Sequence, residues 1–156
     1  MKQLFFIFAI LTALCANAQT NVASNISVIP TAVTDAFQKK FPTATDVQWD
    51  SKTTKTSADV AVYHVSFDMG MTEKDNDVWI DKDGNILKHQ KEIKAEQLPE
   101  AVQQSVKKNF PGYGIGDADR IEDNGAIRYV FEIKKGGSER KIMTDDAGNI
   151  KANLQD

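Results

Sequence analysis

Ile29-Pro30-Thr31-Ala32-Val33, with Lys39, Phe41 and Pro42 behind it, returns later in the chain as Leu98-Pro99-Glu100-Ala101-Val102, with Lys108, Phe110 and Pro111 behind that. Every equivalent pair is 69 residues apart. Each stretch reads as a helix. Pro suits the first helical position, where its missing N–H would have no intrahelical partner. Ile29, Ala32, Val33, Ala36, Phe37 and Phe41 recur at the three-four spacing of one buried face, as do Leu98, Ala101, Val102, Val106 and Phe110. Lys39, Lys40, Lys107 and Lys108 fall in the last turns, where cations favour the negative end of the helix dipole, and Pro42 or Pro111 stops the helix.

Beyond each helix the apolar period changes to two, the mark of strands. Ala61, Tyr63, Val65 and Phe67 match Ile127, Tyr129, Phe131 and Ile133, and Asp81, Gly84, Asn85 and Ile86 match Asp145, Gly148, Asn149 and Ile150. The spacing between matches shortens only in polar stretches, where loops absorb changes of length. Polar residues alternate with the apolar ones, so one side of the sheet meets water and antiparallel pairing is expected. Asn124-Gly125 is a tight-hairpin dipeptide. Asp81 with Gly84, and Asp145 with Gly148, occupy the first and fourth places of type I turns. The expected fold is therefore α+β: a tandem repeat of a helix followed by a four-stranded antiparallel sheet, with units at residues 29–96 and 97–156. Strands are expected near 46–50, 59–68, 77–81 and 86–94, then 117–122, 126–134, 140–145 and 149–154.

The N-terminus reads as an export signal over residues 1–18. Lys2 precedes a largely apolar run from Leu4 to Leu14, and Ala16-Asn17-Ala18 supplies the small residues of a cleavage site between Ala18 and Gln19. A membrane-spanning helix needs roughly 20 apolar residues, more than this run has. Cys15 could suggest lipidation, but bulky Leu14 precedes it where such sites want a small residue. Residues 19–28 then form a linker. Cys15 is the only cysteine, so the mature chain is expected to hold no disulfide and no cysteine-ligated metal. The expected location is periplasmic or extracellular, with no membrane attachment after cleavage.

Composition excludes several chemistries. A net charge of −3 leaves no basic footprint for nucleic acid. Asp81, Asp83 and Asn85 imitate the start of a calcium loop, yet Ile86 stands where that loop needs glycine, and Ala147 replaces the second acid in the later turn. Gly112, Gly114 and Gly116 follow a helix end instead of opening a helix, so they read as a connector and not as a phosphate loop. His64 and His89 lack the near-neighbour spacing of a zinc site and read as exposed strand residues. Lys134, Lys135, Arg140 and Lys141 crowd a Gly136-Gly137 hairpin and read as a solvated tip. No catalytic serine or zinc motif is present, so no catalytic residue, cofactor or metal is expected.

One position invites a partner. If Val78 and Ile80 face the helix, Trp79 points to the opposite side of the sheet, together with Val62, His64 and Met143. Aromatic residues grouped with aliphatic ones on an open face mark binding surfaces. The alternative is that the sheets or a terminal segment cover this face.

An export signal followed by two copies of [I/L]-P-x-A-V, then F-P, Y-x-V/F and D-x-x-G-N-I, resembles the periplasmic PepSY-like or beta-lactamase-inhibitor-like (BLIP-like) family. The resemblance covers essentially the whole mature chain. It implies a BLIP-type fold, in which two helix-plus-four-strand units set their sheets side by side to make one curved surface. The founding inhibitor is disulfide-bonded, unlike this chain, and its inhibitory hairpin corresponds only loosely to residues 68–77. No functional residue is carried over. The expected function is an exported binding module for an unidentified protein or peptide, using the face around Trp79. The second expectation is an inhibitor of a secreted peptidase or beta-lactamase, using the hairpin from Met69 to Asp77.

Overall fold

The computed structural model describes residues 29–50, 54–55, 61–70 and 73–154. The expected signal segment, its cleavage site at Ala18 and Gln19, the linker, and residues 71–72 of the Met69 to Asp77 hairpin lie outside the described residues. In chain order the elements are α1 (Thr31–Lys40), β1 (Ala44–Trp49), β2 (Thr54–Lys55), β3 (Ala61–Met69), β4 (Glu73–Asp81), β5 (Ile86–Ile93), a short 3-10 turn (Ala95–Gln97), α2 (Glu100–Asn109), β6 (Gly114–Asp123), β7 (Ala126–Lys135), β8 (Ser138–Asp145) and β9 (Ile150–Leu154).

The expected tandem arrangement of two four-stranded sheets is overturned. The strands form one antiparallel sheet in the order β1-β3-β4-β5-β6-β7-β8-β9, with the two-residue β2 added beside β3. The reason lies at β5 and β6. As edges of separate sheets, each would present a row of unpaired N–H and C=O groups. Instead they pair from Lys88↔Asp123 to Ile93↔Ala118. Ile93, on β5, is buried among the residues that pack under α2, so the core also crosses this junction.

Both helices lie on one side of the sheet. Val33, Phe37 and Phe41 pack on Val65, Phe67, Val78 and Ile80. Leu98, Val102 and Val106 pack on Tyr129, Phe131, Ile133 and Ile142. Burial of each of these large side chains stabilises the fold by about 1.5–3 kcal/mol. Pro30 and Pro99 stand one position earlier than expected, as extended N-cap residues with ψ of 141° and 144°. The Pro30 carbonyl accepts from the N–H groups of Val33 and Thr34. No helix among the described residues is long and apolar enough to cross a membrane.

Two local expectations also change. Gly114 and Gly116 belong to β6 and not to a connector, and the register shifts between Ile115 and Ala118. Glycine is favoured at such bulges because it bends without a side-chain penalty. His89 is half-buried on the helix side, 5.1 Å from the Phe41 ring, and not on an exposed face. A register shift in the β4–β5 ladder, between Trp79↔Lys88 and Ile80↔Ile86, leaves Leu87 without a pair and reverses the alternation beyond it.

The acidic turns have a structural task. Asp81 accepts hydrogen bonds from the backbone N–H groups of Asp83 and Asn85 and from the Asn85 side chain. Asp145 accepts from the backbone and side chain of Asn149.

Candidate functional site on the helix-free face

The sheet face away from the helices is built by alternate residues of each strand. His64↔Trp79, Trp79↔Lys88 and Lys88↔Asp123 form one row across β3, β4, β5 and β6. Ser66↔Asp77, Asp77↔Gln90 and Gln90↔Ile121 form the next. Glu92↔Asp119, Asp119↔Val130 and Val130↔Met143 form a third, reaching from β5 to β8.

Trp79 is the centre of a three-part stack. The His64 ring lies against the indole with centroids 4.6 Å apart and planes 21° from parallel. From the strand on the other side, Lys88 Nζ stands 3.9 Å from the ring centroid, within cation–π distance. The indole is thereby clamped between neighbours and only partly exposed.

His64 is itself fixed. Its Nε2 donates to Asp77 Oδ1 at 2.8 Å, and its Nδ1 lies 3.6 Å from Asp50 Oδ2. Ser66 Oγ donates to the same Asp77 Oδ1 at 2.7 Å. Serine, histidine and aspartate therefore meet, but in the wrong order for nucleophilic catalysis. A catalytic serine gives its proton to histidine, whereas here both serine and histidine bind the carboxylate. The arrangement orients His64 against Trp79.

The residues expected to surround Trp79 are placed differently from one another. His64 is in direct contact. Val62 shares the face, opposite Asp81, but is only 4% exposed. Met143 shares the face too, yet lies on β8, four strands from Trp79, about 19 Å at ordinary strand spacing. Ile121 and Val130 are nearly buried on this side as well. Lys88, Asp77 and Ser66 complete the stack and were not singled out from sequence. Their signal is cross-strand register, which alternation along a single strand does not contain.

Farther along the face, Asp119 is half-buried. Burial pushes its carboxyl above the usual carboxylate range, against the opposing pull of a hydrogen bond with Gln90. Glu92, Asp117, Asp119, Val130, Glu132 and Lys141 line a shallow depression of about 100 Å³ beside it. Among the described residues, no three acidic or histidine side chains converge as metal ligands.

The fold has close counterparts among solved structures. A BLIP-like protein from Bacteroides fragilis NCTC 9343 superimposes with a TM-score of 0.60 at 20% identity, covering 82% of this chain and 87% of its own. A protein of the DUF2874 family from Bacteroides ovatus ATCC 8483 gives 0.63 at 14% identity, covering 82% and 88%. A third, described as "putative periplasmic" and from Bacteroides eggerthii DSM 20697, gives 0.62 at 17% identity, covering 82% and 89%. At these identities the likeness concerns the fold alone. No curated protein sequence matches the chain. Residues 61–152, more than half of the chain, match the family model described as "Putative beta-lactamase-inhibitor-like, PepSY-like", and the chain belongs to that PepSY-like family.

Proposed function

We propose that this protein is an exported, non-enzymatic binding module that engages a protein or peptide through the helix-free sheet face around Trp79. The observation that carries this reading is the His64–Trp79–Lys88 stack. A large aromatic side chain held on both sides loses little conformational freedom when a partner arrives, the property of interface anchors. The hydrogen bonds that fix His64 extend the same pre-organisation outward. Export rests on the N-terminal signal pattern and on the fold likeness to a protein described as periplasmic. A net charge of −3 speaks against nucleic acid as the partner.

The test is a pull-down from an exported fraction with the wild-type protein and with Trp79→Ala. Loss of a specific partner from the variant supports the reading. Equal recovery of every partner removes Trp79 from the binding surface.

The family's description as beta-lactamase-inhibitor-like favours a second, narrower reading, inhibition of a secreted hydrolase such as a peptidase or beta-lactamase, for which the segment from Met69 to Asp77 is our candidate contact. Purified protein assayed against such enzymes decides it, and absence of inhibition at micromolar concentration rejects it.

A further inference from the structure

We propose that the cavity between the end of α1 and the strands β5 and β6, on the helix side of the sheet, binds a small organic monocarboxylate with an apolar, ring-sized body. The site lies on the opposite side of the sheet from Trp79 and goes beyond the reading given above. Three observations carry it.

The first is a built cavity of about 230 Å³. Phe41, Ile86 and Leu87 give it apolar walls, the Asn124-Gly125 turn borders it, and Lys40, His89 and Glu122 supply charged and polar groups. Leu87, the unpaired residue of β5, is fixed to that turn, because its carbonyl accepts from the Asn124 N–H at 2.9 Å. An apolar cavity of about 150 Å³ holds one benzene. The larger space here admits a ring with a short acid-bearing arm, and it falls short of the roughly 300–1,000 Å³ that larger ligands occupy.

The second is an oriented polar group inside it. His89 is half-buried, with its ring 5.1 Å from that of Phe41. Asn76, 1% exposed, accepts a hydrogen bond from His89 Nε2 at 3.1 Å, so the ring is held and Nδ1 is the nitrogen left for a ligand. Apolar walls with a few fixed polar groups are the usual form of a small-molecule site.

The third is the sign of the local charge. Lys40, Lys91 and Arg120 all act on His89 through space, and Glu122 acts against them. Glu122 is itself bonded to Arg120 at 3.1 Å. Lys91 and Arg120 stand directly opposite each other across β5 and β6, a like-charge pairing that is destabilising. The carbonyl end of α1 opposes an anion, and Lys40 in its last turn offsets that effect. In a chain of net charge −3 this gathering of cations is local, and a bound carboxylate would complement it. It would also give the His89 ring, once protonated, a charged acceptor.

The experiment titrates the full-length chain with phenylacetate at low ionic strength, by calorimetry and by NMR of the His89 ring and the Ile86 and Leu87 methyls. It is run at about pH 7.5 and about pH 6, both above the ordinary carboxylic pKa of about 4.3, so the ligand stays ionised. Phenylacetamide, neutral and of similar shape, and benzylamine, a cation, are the controls. Wild type is compared with Lys40→Gln, His89→Gln and Lys107→Gln. Lys107 is exposed on α2 and does not line the cavity, so its variant matches the charge of Lys40→Gln. Lys40 is exposed at the end of α1, so its replacement keeps the fold whatever His89→Gln does. Phenylacetate is expected to shift these resonances and to bind about threefold or more tightly at the lower pH, because the bound carboxylate favours the charged ring. Lys40→Gln should bind about threefold more weakly, the scale of one exposed charge. Lys107→Gln should bind as wild type does, and His89→Gln should lose the dependence on pH. The proposal is overturned if phenylacetate leaves the His89 and Ile86 resonances unmoved, or if phenylacetamide or benzylamine binds as tightly. It is equally overturned if Lys107→Gln loses as much as Lys40→Gln, or if His89→Gln keeps the dependence on pH. None of those outcomes bears on the Trp79→Ala pull-down, so the sheet-face reading stands or falls separately.

Discussion

Gly84 presses against the first turn of α1 so closely that a Cβ at its position would lie 2.6 Å from the carbonyl oxygen of Ala32. Gly148 stands in the same relation to Ala101 of α2, at 2.5 Å. Both glycines have positive φ, 88° and 81°, as the end of an Asp-x-x-Gly turn requires. These two contacts set how near each helix approaches the sheet.

Gly84→Ala and Gly148→Ala are therefore expected to destabilise strongly. A left-handed backbone costs a non-glycine residue roughly 1–3 kcal/mol, and overlap with a helix backbone adds to that because no side chain can swing aside. Urea unfolding should show the midpoint falling by at least that equivalent for either variant. An unchanged midpoint would mean that the helices sit farther from the sheet.

Acid sensitivity should trace to Asp145. Hydrogen bonding from the Asn149 side chain, then from Lys151 and the Asn149 backbone, lowers its pKa to about 2. The folded pKa lies below the unfolded value, so this contribution is complete above about pH 4 and lost as pH falls toward 2. In Asp145→Asn the melting temperature should be lower near neutrality, and the steep fall below pH 4 should flatten. Parallel profiles for the two proteins would contradict the assignment.

His89 should act nearer neutrality. Burial, followed by the charges of Lys91 and Arg120, lowers its pKa from the usual 6.5. The neutral ring is the form the fold prefers, so its contribution is full above about pH 6.5 and declines as pH drops through the folded value. His89→Gln keeps a donor for Asn76 Oδ1, which the ring nitrogen now meets at 3.1 Å, and should remove the slope between pH 7 and 5. An NMR titration placing His89 above 6.5 would reverse the sign and defeat the prediction.

Asp77 joins two donors at one oxygen. Replacing it by Ala leaves both His64 Nε2 and Ser66 Oγ without that acceptor, at a cost of roughly 1–3 kcal/mol, whereas Asn retains one acceptor and should cost less. The same change should release His64 from the indole and alter Trp79 fluorescence, measured in a Trp49→Phe background. A spectrum identical to that of Trp49→Phe alone would show that the stack holds without Asp77.

Thr144 Oγ1 is fully buried and has no hydrogen-bond partner among the described residues. Val has nearly the same shape and no hydroxyl to desolvate. Thr144→Val is expected to raise stability by about 1 kcal/mol, seen as a higher urea midpoint. A loss of similar size would reveal a buried water bridging this hydroxyl.

Much of this architecture can be read from local pattern. Val33, Phe37 and Phe41 lie in the core because their spacing follows the helical turn, and the same holds for Val102 and Val106. The Asp81 and Asp145 turns follow from short-range chemistry that a few adjacent residues specify. What alternation along one strand does not contain is the neighbour. Lys91 faces Arg120 across the β5–β6 junction, a pairing of like charges that side-chain preference argues against and backbone satisfaction imposes. Alternation likewise gives Met143 the same face as Trp79 but not its row, and four strands separate the two. His89 was turned inward by the single unpaired residue Leu87, and one such residue reverses every assignment after it.

The continuous ladder through β5 and β6 bears on how the molecule comes apart. With Ile93 rooted under α2 and six paired residues on each strand at the junction, neither half is expected to fold as a self-sufficient unit. Melting should proceed as one cooperative event, and the amides along this seam should rank among the last to exchange with deuterium. A fragment cut after Gln97 would carry a bare β5 edge and is expected to pair with itself or aggregate, instead of persisting as a monomeric miniature of the whole.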